Sequence, residues 1–464
     1  KFEKTVISKP VVAEIQKVRP DYEIMLVTIM KAVLDRYERD PDYPFINTKL
    51  SIITGRDFPE PEDLETDFKG KTAVCGWIQG RAMEAICAHI RWLPECRVLD
   101  ENHAAQTIRR LRAVVEQLFE TMEGIRENNG GKVSFLMTPE GVPFKVGQDG
   151  RRTEYDIREC SFSFSDLFYA RGMAAVAQLL GRPEKEEEAR EYFLRICEEI
   201  VAGRFINDRI FFDPLNNPVP VPEKHSYAPR MHGIGGCALL RDLYSEDRWM
   251  DGGLDFIVHV MENYVNLGDF EELELYDIFE ARDQKGQPFR DGDRILSDPG
   301  DALEFIGLSC RLLLPLAGKI QCTEKHLNIL NRCRKYFPSI LLKNFNNGYN
   351  PEVGGICKGV DLKSRRSFNS DMPWWNLPET LRAASGLLNL CPESDKFNDI
   401  LDVIAKCSNG FLTKFVNPDV HLMAYQTLDK TGKPADIIPA TTDADPGFHT
   451  GLSIIDFLRW TRDL

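Results

Sequence analysis

The stretch FSFSDLFYARGMAAVAQLLGRPEKEEEAREYFLRICEEIVAG, residues 162–203, contains two helical patterns joined by a very short break. Apolar residues recur every three or four positions on both sides of Gly181-Arg182-Pro183, which is the periodicity of an α-helix. Glycine ends a helix readily and proline begins the next one, so a few residues suffice to reverse the chain. Because so short a link makes the two helices antiparallel, this stretch predicts a helical hairpin.

The same periodicity recurs along the whole chain and predicts twelve helices. The breaks between them alternate between tight links, as at Cys391-Pro392, and long connections rich in Gly, Pro and Asp. Turn signals at Asn129-Gly130-Gly131 and Asp149-Gly150 predict β-hairpins in or beside the long connections. The predicted helices are residues 11–38, 72–92, 102–127, 162–181, 184–203, 228–243, 247–264, 300–316, 324–346, 374–391, 394–408 and 447–462, and the long connections are residues 133–155, 204–222, 268–297, 346–368 and 411–446.

This alternation predicts an all-α protein, an (α/α)6 barrel or toroid of six helical hairpins, with β-hairpin loop insertions at one mouth. Residues 1–464 are predicted to form a single domain of this kind. A concave mouth built from loops is a typical place for a small ligand to bind. The alternative is an irregular helical protein or an α-solenoid, against which stands the absence of a fixed-period repeat.

Composition and charge restrict the partners. With 43% hydrophobic and 28% charged residues, the 464-residue chain can bury a large core, and its net charge of -14 disfavours nucleic acid. No apolar run approaches the roughly 20 residues that span a bilayer. The twelve cysteines lack metal-ligand spacing and are typical of small core residues in a reducing compartment. We therefore expect a cytoplasmic protein with neither nucleic acid nor membrane as partner; a periplasmic location is the alternative if a leader was removed.

Five short segments bring polar groups to the ends of predicted helices. Arg81 can present its planar guanidinium to sugar hydroxyls or to a carboxylate, and His232 can bind substrate or transfer a proton. Each also has an ordinary interpretation, a surface arginine or a partly buried core histidine. The segments are residues 77–81 (WIQGR), 230–233 (RMHG), 298–304 (DPGDALE), 371–379 (DMPWWNLPE) and 443–449 (DADPGFH).

The third segment holds two carboxylates on one helical face. Asp301 and Glu304 are three residues apart in the first turn, where the helix dipole favours negative charge. Capping of the helix explains Asp298 fully and can explain Asp301, but it explains Glu304 less well because Phe305 and Ile306 follow at once.

The last two segments contain the groups that a sugar site often uses. Trp374 and Trp375 offer indole faces on which the C–H faces of a pyranose can stack, and Glu379 offers an acceptor for hydroxyls. Packing of one tryptophan in the core is ordinary, whereas packing of both is less so. His449 begins the last predicted helix and could also be a simple cap partner.

Taken together, these segments resemble the N-acylglucosamine 2-epimerase superfamily, which includes cellobiose 2-epimerases and aldose-ketose isomerases of mannose-like sugars. The family motif Trp-x-Gln-Gly-Arg is similar to residues 77–81, its Met-His pair to residues 231–232, and its Pro-Gly-His-x-x-Glu to residues 299–304. Its Trp-Trp-x-x-x-Glu is similar to residues 374–379, and the histidine before its final helix to His449. The resemblance implies an (α/α)6 barrel that acts on a small carbohydrate, works without metal or other cofactor, and forms a homodimer.

The chain also departs from the family pattern. Asp301 stands where family members have a catalytic histidine after Pro-Gly, and Gly235 stands where they have a glutamate shortly after Met-His. Near the C-terminus Ala444, Asp445, Phe448 and Leu452 stand where the family tends to have Trp, Lys, Tyr and Arg. The fold is therefore a safer inference than the reaction.

The resemblance implies proton abstraction next to the carbonyl of an open-chain sugar, which gives an enediolate. Return of the proton to the opposite face of the same carbon gives an epimer, and return to C1 turns an aldose into a ketose. Asp301 would need burial or the charge of Glu304 to raise its pKa from about 3.9. The implied catalytic residues are His449, Asp301 and Glu304, and the implied substrate-binding residues are Arg81, His232, Trp374, Trp375 and Glu379.

Two other functions fit the same residues. A glycoside hydrolase or lyase on a similar barrel would use paired carboxylates, as an acid and its partner base, drawn from Asp298, Asp301, Glu304, Asp371 and Glu379. A sugar-binding protein without catalytic activity would agree with the altered C-terminal motif.

Overall fold

The computed structural model describes residues 1–464 except positions 61, 64, 66, 67, 148, 209–222, 320, 321, 436–442 and 463. Twelve α-helices of eight residues or more lie in this described part of the chain. They are α1 (Arg19–Glu38), α2 (Gly76–Trp92), α3 (Glu101–Asn128), α4 (Phe164–Leu180), α5 (Pro183–Val201), α6 (Ala228–Tyr244), α7 (Asp247–Tyr264), α8 (Pro299–Ala317), α9 (Glu324–Gly348), α10 (Asn376–Leu390), α11 (Phe397–Gly410) and α12 (Ser453–Trp460).

Local chemistry sets the ends of these helices. The side chain of Asp100 accepts a hydrogen bond from the backbone of His103 and begins α3. Ser163 and Asp166 form a reciprocal capping box at the start of α4. Gly181 ends α4 with a φ of 64°, a left-handed conformation that glycine adopts without strain, and Pro183 begins α5. The hairpin predicted for residues 162–203 is therefore present.

Alternate helices form a closed inner ring. Each of α2, α4, α6, α8, α10 and α12 packs against the next, and a π-helical turn at Phe448–Leu452 that leads into α12 packs against α2 and closes the ring. These inner helices are buried over most of their length, whereas α1, α3, α5, α7, α9 and α11 lie outside them with one exposed face each. This arrangement confirms the predicted (α/α)6 barrel.

Glycines allow two inner helices to approach closely beside the cavity. A Cβ atom at Gly80 of α2 would lie 2.7 Å from the backbone of Phe168 in α4, and one at Gly172 would lie 2.5 Å from the carbonyl oxygen of Gly80. Any larger side chain would push the two helices apart. The close crossing fixes the position of Arg81, the next residue of α2.

Fifteen short strands, counted within the described residues, form small antiparallel sheets in the connections. Several of them directly precede inner helices, which places the sheets at the N-terminal ends of the ring, the predicted mouth. The sheets are β1–β4 in that order (Val74–Cys75, Leu136–Met137, Pro143–Val146, Arg152–Glu154), β5 with β6 (His225–Ser226, Ala281–Arg282), β12-β11-β8-β7 (Arg366–Asn369, Gly359–Asp361, Arg294–Ser297, Arg290–Asp291), β10 with β9 (Gly355–Ile356, Tyr349–Asn350) and β13–β15 (Met372–Pro373, Thr427–Leu428, Pro434–Ala435).

One of the two predicted hairpin turns is correct. Asp149-Gly150 lies between the paired strands β3 and β4. Asn129-Gly130-Gly131 instead ends α3: both glycines have positive φ, and the Gly131 amide donates to Arg126 O within the helix. These residues do turn the chain locally, but they form the C-terminal end of a helix and not a hairpin turn, because a long amphipathic segment precedes them. The predictions for residues 209–222 and 436–442 lie outside the described residues.

The cysteines lie where small core residues are expected. All twelve cysteines are free thiols and ten of them are buried, as expected for small core residues. Within the described residues, no helix combines the length and the apolar character needed to cross a bilayer.

Candidate active site

A cavity of about 490 Å³ opens where the inner helices begin. Its size is within the range of pockets that bind small molecules. Because several helix N-termini face it, their partial positive charges favour negative charge on a ligand. Seven of the eight site residues predicted from the sequence line the cavity: Arg81, His232, Asp301, Glu304, Trp374, Trp375 and His449.

The eighth residue, Glu379, lies behind His449 instead. Its side chain is buried, and Oε1 lies 2.9 Å from Nδ1 of His449 while Oε2 accepts a hydrogen bond of 3.0 Å from Nη1 of Arg382. Both carboxylate oxygens of Glu379 are thus engaged by protein side chains, so in this structure Glu379 contacts His449 and does not line the cavity where it was expected to bind substrate hydroxyls.

Glu379 determines which nitrogen of His449 carries the proton. Burial acts to raise the pKa of Glu379, but Arg382 and His449 outweigh it and hold that pKa below its ordinary value. An ionised carboxylate can only accept, so Nδ1 carries the proton and Nε2 is left as a proton acceptor. Burial lowers the pKa of His449 even though Glu379 opposes the shift. His449 is consequently a neutral, oriented imidazole.

A π-helical turn and an indole ring hold His449 in place. The carboxylate of Asp445 accepts hydrogen bonds from the backbone amides of Gly447, Phe448 and Thr450 and so shapes this turn. The ring of Trp375 stacks on the imidazole with a centroid distance of 5.4 Å. Asp445 stands where the family tends to have lysine, and here it builds the turn that presents the histidine.

The two carboxyl groups on α8 both favour the protonated form. Asp301 is partly buried, and burial, with Asp298 adding to it and Lys358 opposing it, raises the pKa of Asp301 to about 8. Burial, followed by the charges of Glu379 and Asp301, raises the pKa of Glu304 well above its ordinary value. Burial was a predicted cause for Asp301, whereas the charge that adds most is that of the capping residue Asp298.

Arg81 is held rigidly among aromatic rings. Its guanidinium lies 4.1 Å from the ring centroid of Phe168, 5.0 Å from that of Phe448 and 5.1 Å from that of Trp77. The side chain is buried, and within the described residues its Nε has no hydrogen-bond partner. The group can therefore donate to a ligand without giving up a bond that it already makes.

His232 lies beside this arginine and is also neutral. Its ring meets the edges of Phe164 and Phe168, and its Nδ1 lies 3.9 Å from Oε1 of Glu304. Burial, with Arg81 and Arg171 contributing, lowers the pKa of His232 well below its ordinary value. A neutral imidazole next to a protonated carboxyl can exchange hydrogen bonds with sugar hydroxyls.

A buried ion pair of Arg171 and Glu84 lies beside Gly235. A Cβ atom at Gly235 would lie 3.2 Å from Nη1 of Arg171, so this guanidinium occupies the space beside the glycine. Arg171 Nε and Nη2 each donate to a carboxylate oxygen of Glu84 at 2.8 Å. Glu84 of α2 thus supplies the negative charge that balances Arg171 of α4 inside the ring.

Sequence reasoning missed Lys358, which lies in the two-residue link between β10 and β11. Its ammonium pairs with Asp298 and lies 5.1 Å from the ring centroid of Trp375. No periodicity or spacing marks a lysine in an irregular connection, so this contact could only be found in the folded chain.

One group of side chains could hold a metal ion. The ligand atoms of Glu304, Glu379 and His449 lie within 4.8 Å of one another, and no second such group occurs within the described residues. The hydrogen bond between Glu379 and Nδ1 of His449 would have to break for both to bind the same ion. The arrangement therefore fits a bonded acid-base pair better than a ready set of ligands.

No family model matches the chain. Among curated proteins, no relative was found by sequence. Solved structures do match. A D-mannose isomerase is 12% identical with a TM-score of 0.61, and the match covers 93% of this chain and 97% of that protein. The cellobiose 2-epimerase from Bacillus thermoamylovorans is 11% identical with a TM-score of 0.60, and the match covers 92% of this chain and 99% of that protein. The chain has the fold of these sugar isomerases and epimerases. The resemblance seen in the sequence is confirmed at the level of the fold.

A further solved structure also matches the chain. A possible member of the GH105 family from Salmonella enterica is 10% identical, with a TM-score of 0.50 and 94% of each chain covered. At such identities the likeness concerns the fold, so the reaction must be argued from the site itself.

Proposed function

We propose that the protein is a sugar epimerase or isomerase that removes a proton from the carbon next to the carbonyl of an open-chain aldose. The observation that carries the proposal is the pairing of His449 with Glu379 at the cavity wall, 2.9 Å apart. It supplies a neutral base of fixed tautomer at neutral pH, which is what removal of a weakly acidic C–H proton requires.

Arg81 faces the developing negative charge in this mechanism. Nε2 of His449 takes the proton from C2, and the electrons of the C–H bond move into a C1–C2 double bond as the carbonyl oxygen becomes an oxyanion. A rigid, buried cation with an unused donor stabilises that charge without reorganisation, an effect worth about 3–4 kcal/mol for one donor. The convergent helix N-termini act in the same direction.

The product depends on where the proton returns. Protonated Asp301 gives its proton to the face of C2 opposite His449 and forms the epimer. Alternatively, the proton held by His449 returns to C1 while a second proton moves between the two oxygens, and a ketose results. Glu304, whose pKa burial raises, is suited to that second transfer and to opening the sugar ring.

The remaining cavity residues hold the sugar. Trp374 offers an apolar face for its C–H groups beside Trp375, which already contacts His449 and Lys358, and His232 offers a donor and an acceptor for its hydroxyls. The fold shared with D-mannose isomerase and cellobiose 2-epimerase supports a carbohydrate as the substrate class.

A glycoside hydrolase is the second candidate because Asp301 has a pKa of about 8. A carboxyl group that is protonated at neutral pH is what a general acid requires. The cavity offers no clear partner base for this acid among the two glutamates. Glu304 also favours its protonated form, and Glu379 lies behind His449. Release of reducing ends from oligosaccharides without deuterium entry into the sugar would establish this alternative.

Incubation with reducing sugars in heavy water tests the proposal. We expect deuterium to enter at C2 of at least one aldose of a broad panel. Nuclear magnetic resonance measures the deuterium content at that carbon. His449→Ala should abolish the exchange, whereas His103→Ala, an exposed histidine on α3, should not change it. A wild-type protein that exchanges no proton on any sugar would refute the proposed function, and a sugar bound without turnover would identify a non-catalytic binding protein.

A further inference from the structure

The described side chains that line the cavity carry an excess of positive charge at neutral pH. Among the described residues, four cations line it (Arg81, Lys224, Arg230 and Lys358), together with four acids (Glu280, Asp298, Asp301 and Glu304). Lys224 pairs with Glu280 and Lys358 pairs with Asp298, so these two pairs cancel. Of the remaining acids, Asp301 has a pKa raised to about 8 and Glu304 one raised well above its ordinary value. At neutral pH the cavity therefore keeps the positive charges of Arg81 and Arg230, although the chain as a whole has a net charge of -14.

Arg230 has no task in the mechanism given above. It lies in the first turn of α6, partly buried, and its guanidinium forms neither an ion pair nor a hydrogen bond with any described residue. Burial and the nearby charge of Arg282, opposed by Tyr264, lower the pKa of Arg230. A charged group in such a position is less stable than it would be in water, and an anionic ligand would relieve that cost.

The two unbalanced arginines occupy different parts of the cavity. Arg81 lies among Phe168, Phe448 and Trp77, whereas Arg230 lies near Arg282, whose charge helps to lower the pKa of Arg230. One guanidinium can therefore face the reacting oxygens while the other binds a second negative group of the same molecule. A planar guanidinium binds carboxylate, phosphate and sulfate through paired N–H donors.

We infer that the natural substrate is an acidic sugar, an aldose that carries a carboxylate, phosphate or sulfate group bound by Arg230 while its carbonyl end lies at His449 and Arg81. This inference rests on the proposed function and narrows its substrate class. The anion would use the unpaired cation and the helix N-termini together, and neutral sugars would leave Arg230 unsatisfied.

The test compares three sugars of the same skeleton: glucose, glucuronate and glucose 6-phosphate. We expect deuterium exchange with at least one acidic sugar at a kcat/KM roughly tenfold or more above that for glucose. Arg230→Gln should lower kcat/KM for that acidic sugar by about 10–100-fold and for glucose by no more than about twofold. Comparison of the carboxylate with the phosphate ester identifies which anion the site prefers. Arg109→Gln, which removes the same charge from the exposed face of α3, should change neither value.

The outcomes separate this inference from the proposed function. If glucose is exchanged as well as both acidic sugars, or if Arg230→Gln affects neutral and acidic sugars alike, the acidic substrate is refuted and the epimerase or isomerase stands. If no sugar of the broad panel exchanges deuterium, the proposed function fails, and calorimetric titration with glucuronate and glucose 6-phosphate tests whether the cavity binds an acidic sugar. Binding that Arg230→Gln abolishes would support an acidic-sugar site, and no binding by the wild-type protein would refute it.

Discussion

Nδ1 of His449 and Oε1 of Glu379 lie 2.9 Å apart, although 70 residues separate them in the chain. The carboxylate also binds Arg382, whose presence keeps Glu379 ionised. A histidine held in this way can accept a proton only at Nε2, so in the proposed mechanism the pair acts as one unit.

Glu379→Gln tests this unit. Arg382 will keep the amide oxygen as its acceptor, so the amide NH₂ will face His449 and make Nδ1 the acceptor. Nε2 then carries the proton and cannot act as a base. We expect kcat for deuterium exchange to fall on the order of 10²–10⁴-fold with little change in KM. Glu262→Gln, in an exposed ion pair with Arg332, is the matched control. An unchanged kcat in Glu379→Gln would show that the tautomer of His449 is unimportant.

The pH dependence of epimerisation follows from two groups. Activity requires neutral His449, so it falls at low pH as His449 is protonated, below about pH 6.5 because burial lowers this pKa. It also requires protonated Asp301, so it falls as the pH rises through about 8. We expect a bell-shaped profile of kcat/KM between these limits. A profile that continued to rise above pH 9 would contradict the role of Asp301 as the acid.

Asp301→Asn separates exchange from epimerisation. The variant retains His449, so it should still exchange the C2 proton for deuterium. The rate of this exchange should stay within about tenfold of the wild-type rate. It lacks the proton donor for the opposite face, so formation of the epimer should fall by about 10²–10⁴-fold. Both products are measured in one heavy-water sample. Loss of exchange and epimerisation to the same extent would instead assign Asp301 to substrate binding or to the first step.

Chelation distinguishes acid-base chemistry from metal chemistry at the group of Glu304, Glu379 and His449. We expect full activity after dialysis against a chelator, because the proposed steps use only protein side chains. Added zinc should inhibit, since ligation of His449 would remove the base. If activity disappeared on chelation and returned with a divalent ion, the metal would have to replace His449 at the centre of the mechanism.

Glu84→Gln should destabilise the inner ring. Its carboxylate makes two hydrogen bonds of 2.8 Å to buried Arg171, and the substitution leaves that guanidinium without a counter-charge. We expect the free energy of unfolding to fall by about 3–5 kcal/mol, measured by chemical denaturation. Glu262→Gln, at a partly exposed pair, should cost less than about 1 kcal/mol. Equal effects of the two substitutions would contradict the importance of burial.

The sequence alone sufficed for the helices and their order. The predicted segments 228–243, 247–264 and 324–346 correspond to α6, α7 and α9 with differences of at most two residues at their ends. Apolar periodicity and turn residues are local properties, so they can be recognised without knowledge of distant contacts. The motif order likewise indicated which helix ends carry the candidate site residues, and seven of the eight line one cavity.

Only the tertiary structure decided what these residues can do. It placed Glu379 behind His449, set Lys358 against Asp298, and left Arg230 in the cavity without an ion pair to any described residue. Hydrogen-bond partners, burial and pKa depend on groups brought together from distant parts of the chain, and no local pattern encodes them. The sequence therefore determined the ring and the candidates, and folding determined their chemical states.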